Sequence, residues 1–307
     1  MKRIILAAFV ALSLVACQVN YEKTASGITY KIFNGSGGDT AKAGQIVKFN
    51  LEILLTGRTG KADSVLTSTI GKIPAYNQVD TSARALGSFM EILPKLRTGD
   101  SAIINISVDT LKSKGAINPQ DSVVFTKGSS IQFKLKILSV FKTQDEAMAA
   151  YQKDMDGANA KEIKLVEDYM AQKGIKGIKT KSGAYVSIEN AGDTSMKADS
   201  GTLSTIKYKG YLQDNGKVFD SSASDSEGYP VRVGTHSVIQ GWDEALPYFG
   251  NGGSGKILVP AFLGYGAQGN GPDLPPNANL VFEIKVVKVE PAPPMPADGG
   301  GPQIMPQ

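Results

Sequence analysis

The chain has one cysteine, one histidine and one tryptophan in 307 residues. A lone cysteine cannot close a disulfide within the chain, so no covalent staple supports the fold. One cysteine and one histidine do not make a zinc ligand cluster, and neither a metal nor a cofactor is expected. The histidine, His236, has no serine partner at a recognisable nucleophile elbow and is read as a loop residue before a helix. No glycine-rich loop runs into Lys-Ser or Lys-Thr, so there is no phosphate cradle. Charge is also nearly absent as a net quantity. The formal balance is +4, from 33 basic and 29 acidic side chains, and Lys2 and Arg3 contribute two of the positive charges. That evenness argues against a nucleic-acid partner. The apolar run Ile4 to Ala16, interrupted by Ser13, is about 13 residues, short of the ~20 that a spanning helix needs.

That run is informative in another way. A basic start, a short apolar stretch and small residues before a cut describe a signal peptide over residues 1–16. The run ends Leu14-Val15-Ala16-Cys17, which looks like a bacterial lipobox. Cys17 is then the lipidated first residue of the mature chain, and residues 17–24 are its tether. Acyl chains hold a protein at a membrane without a transmembrane helix. The expected location is the cell envelope, and Gln18 after Cys17 fits outer-membrane sorting with the face undecided. At the other end, residues 291–307 read PAPPMPADGGGPQIMPQ, a solvated and disordered tail by composition.

Between these ends one unit is written twice. The stretch from Ser26 matches the stretch from Ser182, and GKADS (Gly60 to Ser64) meets GKVFDSS (Gly216 to Ser222). Ser88 to Ile106 meets Gly241 to Val259, and Ser129 to Val140 meets Ala278 to Val289. Four blocks in one order imply a duplicated domain of about 115 residues. The expected units are 25–142 and 177–290, joined by a helical segment at 143–176.

Period-two alternation predicts half-buried strands at Ile28-Tyr30-Ile32, Val186-Ile188, Phe133-Leu135-Ile137 and Phe282-Ile284-Val286. Ser237 is placed as an N-cap, with Val238, Trp242, Ala245 and Leu246 on one helical face and Pro247 as the stop. Short helices among antiparallel strands give an α+β fold, each unit a curved sheet wrapped on one short helix. In the joining segment, Met148, Tyr151 and Met155 recur at helical spacing, as do Ile163, Val166, Tyr169 and Met170. Gly157 and Asn159 are expected to split it into two helices. Its apolar stripe either packs on a domain or pairs with a second copy of the chain.

The second unit is rich in aromatic residues around turns, the composition of an apolar pocket with few polar groups. YKGYLQDNGKVFDSS, VIQGWDEAL, GYGAQG and LPPNANLVFEIKVVKV, in that order over about Ser182 to Glu290, resemble an FKBP-type peptidyl-prolyl cis-trans isomerase, the macrolide-binding family. The resemblance implies two FKBP-like domains, proline-containing client proteins or peptides as partners, and a macrolide as a ligand class. It implies Trp242 as the floor of a proline pocket and Tyr208, Phe219, Tyr229 and Phe282 as its walls. It makes Val238 and Ile239 the apolar pair at the helix start, the backbone N–H of Ile239 binding a ligand carbonyl. Tyr265 reaches a carbonyl with its hydroxyl, Asp220 is the carboxylate at the pocket edge, and Leu274 is an apolar flap residue. The flap departs from the family at Asn270 and Asp273, and no arginine follows Phe219-Asp220 to form a rim pair.

Read from residues alone, Asp220 is either this site carboxylate or the cap of a turn with Ser221 and Ser222. The first unit lacks most of the pocket. Aligned by motif, Phe89 stands for Trp242, Phe49 for Tyr208, Ala62-Asp63 for Phe219-Asp220 and Phe133 for Phe282. It is expected to be weak or inactive. The leading function is isomerase; the alternative is an envelope chaperone or client-binding lipoprotein with little isomerase activity.

Overall fold

The computed structural model describes residues 20–35, 37–222 and 227–294. The signal segment 1–16 and Cys17 lie outside the described residues, as do 295–307 of the tail. The chain divides into two compact units, Met1–Asp154 and Met155–Gln307.

The first unit holds strands β1 (Glu22–Lys23), β2 (Thr29–Phe33), β3 (Ile46–Thr56), β4 (Ser64–Ser68), β5 (Ala75–Gln78), β6 (Ser101–Ser107) and β7 (Ser130–Phe141). They form one sheet in the order β1-β2-β6-β7-β3-β4, with β5 also on β3, all pairs antiparallel. A short helix, α1 (Val108–Ser113), follows β6, and a 3-10 turn at Phe89–Lys95 precedes it, capped by the Ser88 hydroxyl. The core lies between that turn and the sheet, with Phe49, Ile92, Leu93, Leu96 and Ile104 fully buried.

Helix α2 (Gln144–Lys173) is a single helix of 30 residues, not two. Gly157 lies inside it with negative φ and nothing near its missing Cβ, so it costs about 1 kcal/mol of propensity rather than breaking the helix. In its first part Ala147 is the buried residue, while Met148 (60% exposed) and Tyr151 lie open to solvent. Tyr151 still meets Tyr76 edge-on at 5.5 Å, and Asp154 accepts from the Tyr76 hydroxyl and the Lys48 ammonium at 2.6 and 2.8 Å.

The second unit repeats the pattern with β8 (Ile178–Lys179), β9 (Tyr185–Asn190), β10 (Asp193–Lys197), β11 (Thr202–Leu212), β12 (Val218–Ser221), β13 (Tyr229–Arg232), β14 (Gly250–Asn251), β15 (Ser254–Val259) and β16 (Leu280–Pro291). Its sheet order, β8-β9-β15-β16-β11-β12 with β13 also on β11, is that of the first unit, and β10 pairs with β14 apart from it. Helix α3 (Gln240–Ala245) covers the inner face, burying Trp242, Ala245 and the following Leu246. The later part of α2 covers part of the outer face. There Val166 and Met170 pack with Tyr185, Leu258 and Val281. This is why β15 and β16 carry adjacent apolar residues, Ile257-Leu258 and Leu280-Val281-Phe282, instead of a strict alternation. Ile188, expected inside, lies past the covered region and is 38% exposed.

Two further expectations change. Ser237 does not cap α3: Ile239 is the N-cap residue, and the Ser237 hydroxyl donates to the Arg232 carbonyl. The carboxylate of Asp243, inside the helix, instead accepts the N–H groups of Gly234 and His236, at 3.1 and 2.9 Å. The tail also begins in order, since β16 includes Pro291 and the Ala292 N–H donates to the Gly201 carbonyl at 3.0 Å.

Candidate functional site: an aromatic pocket in the second unit

Strand β11 alternates Tyr208 and Gly210 on its inner face with Lys207 and Lys209 on its outer face. Gly210 pairs with Asp220 on β12 and with Phe282 on β16, while Tyr208 pairs with Ile284. Helix α3 brings Trp242 beneath them. The rings meet edge to face: Tyr208 and Trp242 at 5.1 Å, Trp242 and Phe282 at 5.2 Å, Phe219 and Phe282 at 5.7 Å. Tyr229, on β13, meets Tyr208 at 6.2 Å. These are the favoured geometries for aromatic pairs. Trp242 and Phe282 are buried, and Tyr208, Phe219, Tyr229, Val238, Ile239 and Tyr265 are partly buried around them. Leu274 is buried in the same core and anchors the flap, where the Asn270 N–H donates to its carbonyl.

Gly210 is a packing requirement. A Cβ there would sit 2.8 Å from the Phe219 ring and 2.8 Å from the Phe282 ring, so any side chain would push two walls apart.

In the VFDSS stretch Asp220 is not the cap of a turn with Ser221 and Ser222. Asp220 lies in a strand, and its carboxylate accepts the Tyr208 hydroxyl at 2.7 Å. The turn before it belongs to Asn215, whose side chain accepts the Lys217 N–H, and to Gly216 at φ +72. Ser222 clamps the strand pair: its hydroxyl accepts the Tyr208 N–H at 2.8 Å, and its own N–H donates to the Tyr208 carbonyl. Sequence reading missed this role, although a hydroxyl two residues after the acid was there to suggest it.

Burial raises the phenol pKa values of Tyr208, Tyr229 and Tyr265, and the Asp220 charge raises all three further. All three are therefore neutral donors at working pH. Tyr208 spends its proton on Asp220; the Tyr265 hydroxyl makes no hydrogen bond among the described residues. The Ile239 N–H, at the start of α3, likewise has no acceptor, although the Ile239 carbonyl accepts the Trp242 N–H. The site thus offers an apolar floor, one anchored carboxylate, and two free donors from separate elements. Among the described residues no group of three metal-ligating side chains occurs. A cavity of about 510 Å³ is lined by Lys207, Lys209, Glu283 and Lys285 together with Tyr208 and Ser222, and Tyr208 is the one aromatic residue it shares with this set.

Strand register corrects the motif alignment of the first unit. Phe133 pairs with Ile53 as Phe282 pairs with Gly210, and Leu135 pairs with Leu51 as Ile284 pairs with Tyr208. Leu51, not Phe49, therefore occupies the Tyr208 position, and Phe49 takes that of Ile206. On the neighbouring strand Leu54 pairs with Val65 as Tyr211 pairs with Val218. Leu66 and Thr67, not Ala62 and Asp63, then stand for Phe219 and Asp220. Thr69 confirms the register, because its hydroxyl accepts the Leu51 N–H at 2.9 Å as Ser222 does for Tyr208. Ala75 stands for Tyr229. Phe89 does stack on Phe133, at 5.1 Å, in the place of Trp242 on Phe282. The clamp is kept, while the phenols and the carboxylate are gone.

Known proteins are similar to the chain over this region. The sequence model of the family described as FKBP-type peptidyl-prolyl cis-trans isomerase matches residues 194–287. FKBP-type peptidyl-prolyl cis-trans isomerase FkpA of Escherichia coli strain K12 is 31% identical over 229 residues, 74% of this chain and 82% of the relative. A probable FKBP-type peptidyl-prolyl cis-trans isomerase of Haemophilus influenzae is 30% identical over 196 residues, 64% of this chain and 75% of the relative. An FK506-binding protein of Neisseria meningitidis serogroup A is 41% identical over 85 residues, 28% of this chain and 77% of the relative. The chain belongs to the FKBP-type peptidyl-prolyl cis-trans isomerase family, and the segment matching the family model lies in its second unit.

Proposed function

We propose that the chain speeds cis–trans exchange at X–Pro bonds of client proteins in the bacterial cell envelope, using the aromatic pocket of the second unit. The observation that carries this reading is the grouping of Tyr208, Phe219, Trp242 and Phe282 around Asp220, beside two unpaired donors. The envelope location and a lipid anchor at Cys17 rest on the leader sequence.

The chemistry needs little. Resonance holds the amide planar with a barrier of about 18–20 kcal/mol. The two X–Pro isomers differ by only about 0.5–1 kcal/mol, so the barrier alone must fall. At the twisted transition state the amide has lost resonance and much of its dipole. A water-poor floor made of Trp242 and Phe282 favours that less polar form over the planar one, which is the differential binding that catalysis requires. The Ile239 N–H and the Tyr265 hydroxyl hold neighbouring carbonyls, and Asp220 fixes the Tyr208 wall. No step calls for a nucleophile. A macrolide of the class the family binds would occupy the same floor, and a second copy of the chain could pair through the open Met148–Tyr151 stretch of α2.

The chain from Gln18, which leaves out the lipidated Cys17, should speed exchange of a proline tetrapeptide measured by NMR line-shape analysis. The signal of the single tryptophan should change on peptide binding. An uncatalysed rate at micromolar protein, with client aggregation still suppressed, would replace this reading by the chaperone one.

A further inference from the structure

Helix α2 precedes the segment that the family model matches, yet one of its side chains reaches the loop that carries Tyr265. Glu162 Oε2 accepts the Phe262 N–H at 2.9 Å. The preceding donor in the same turn is held likewise, with the Ala261 N–H on Asn279 Oδ1 at 2.9 Å. These are the first two N–H groups of the 3-10 turn Ala261–Leu263, donors that a helical start cannot satisfy by itself. From that turn the backbone is tied forward. The N–H groups of Gly264 and Gly266, which flank Tyr265, both donate to the Ala261 carbonyl, at 2.9 and 2.8 Å, and the Asn277 N–H then donates to the Gly266 carbonyl at 2.8 Å. The carboxyl of Glu162 is half-buried; burial pushes its pKa up, and the Phe262 bond opposes this only in part. Partial removal from water lowers the local dielectric and strengthens the bond to the Phe262 N–H.

We propose that Glu162 is a positioning residue for isomerisation: through the Phe262 N–H it fixes the turn whose continuation sets the Tyr265 hydroxyl at the pocket. This rests on the reading that Tyr265 contacts a substrate carbonyl. The helix has a separate anchor in Val166 and Met170, packed on Leu258 and Val281, so packing and positioning can be separated by mutation.

The test uses the full mature chain with three variants, Glu162→Ala, Glu162→Gln and Val166→Ala. Backbone amide shifts are recorded for Phe262 and for Gly264 to Gly266, beside kcat/KM and affinity for a proline peptide. Glu162→Ala should move these amides and lower kcat/KM about fivefold with peptide affinity within twofold, since misplacing a catalytic group acts mainly on the transition state. Glu162→Gln keeps an acceptor oxygen and should recover at least half of the loss. Val166→Ala should lower Tm while leaving kcat/KM and the Tyr265 amide unchanged. The proposal is overturned if Glu162→Ala leaves the Gly264–Gly266 amides in place, or if Val166→Ala costs as much activity as Glu162→Ala. Should the wild-type chain show no catalysis, the isomerase reading fails, while the amide shifts still decide whether Glu162 holds the Tyr265 loop.

Discussion

Asp220→Ala should lower kcat/KM about tenfold, a loss of about 1.4 kcal/mol in transition-state stabilisation. The side chain does two things in the structure. It accepts the Tyr208 hydroxyl at 2.7 Å, and it is the one carboxylate whose charge acts on all three pocket phenols. A hydrogen bond to a charged group is worth about 1.5–3 kcal/mol net, so its loss frees the Tyr208 ring that forms a wall against Trp242. Asp220→Asn keeps an acceptor without the charge and should fall between wild type and alanine. Because Asp220 is on the short β12 strand and only partly buried, the fold should survive, which circular dichroism and Tm would confirm. An alanine variant that turns over at the wild-type rate would leave Asp220 as a strand residue with no part in the chemistry.

Trp242→Ala should have the largest effect on stability. The side chain is fully buried and contacts both Tyr208 and Phe282. Removing a buried tryptophan costs about 3–5 kcal/mol, partly through the cavity left behind. For a unit of this size that is a fall in its Tm of roughly 10 °C. Trp242→Phe should be much milder. The indole Nε1 is buried without a hydrogen-bond partner, so phenylalanine removes an unsatisfied donor as well as some volume. Phenylalanine is also what the first unit has there, as Phe89 stacked on Phe133. Differential scanning calorimetry on the three proteins checks the order wild type, Phe, Ala. A tryptophan-to-alanine variant that melts with wild type would mean that the pocket floor is not part of the core.

Much of this site could be read before any coordinates. Trp242, Phe219, Tyr208 and Phe282 come from four separate stretches, and the resemblance carried them together because each stretch keeps its own short motif. The alternation Phe282-Ile284-Val286 also gave the buried face of β16 correctly. The first unit shows where such reading fails. Side chains alternate with period two, so sliding a strand by two residues keeps every apolar residue on the same face. Phe49 and Leu51 are equally acceptable by pattern, and only the pairing with Ile137 and Leu135 separates them. The Gly-Lys and Asp-Ser echo misled for a similar reason: Gly60-Lys61 lies in a longer loop, and the shared residues are Val65 and Thr69 against Val218 and Ser222. Glu162 and Asp243 were illegible, since each acts on backbone N–H groups that no side-chain motif records. Helix α2 was split on Gly157 by propensity, a cost of about 1 kcal/mol that packing on both parts of a long helix readily offsets.

The central claim is that isomerase activity resides in the second pocket and depends on what the first unit has lost. The most direct measurement gives the second unit the residues of the first, Phe219→Leu with Asp220→Thr, in the full mature chain, and follows proline-peptide exchange by NMR. The expected result is a folded protein with exchange close to the uncatalysed rate. Exchange at more than half the wild-type rate would contradict the claim and place the activity elsewhere in the chain.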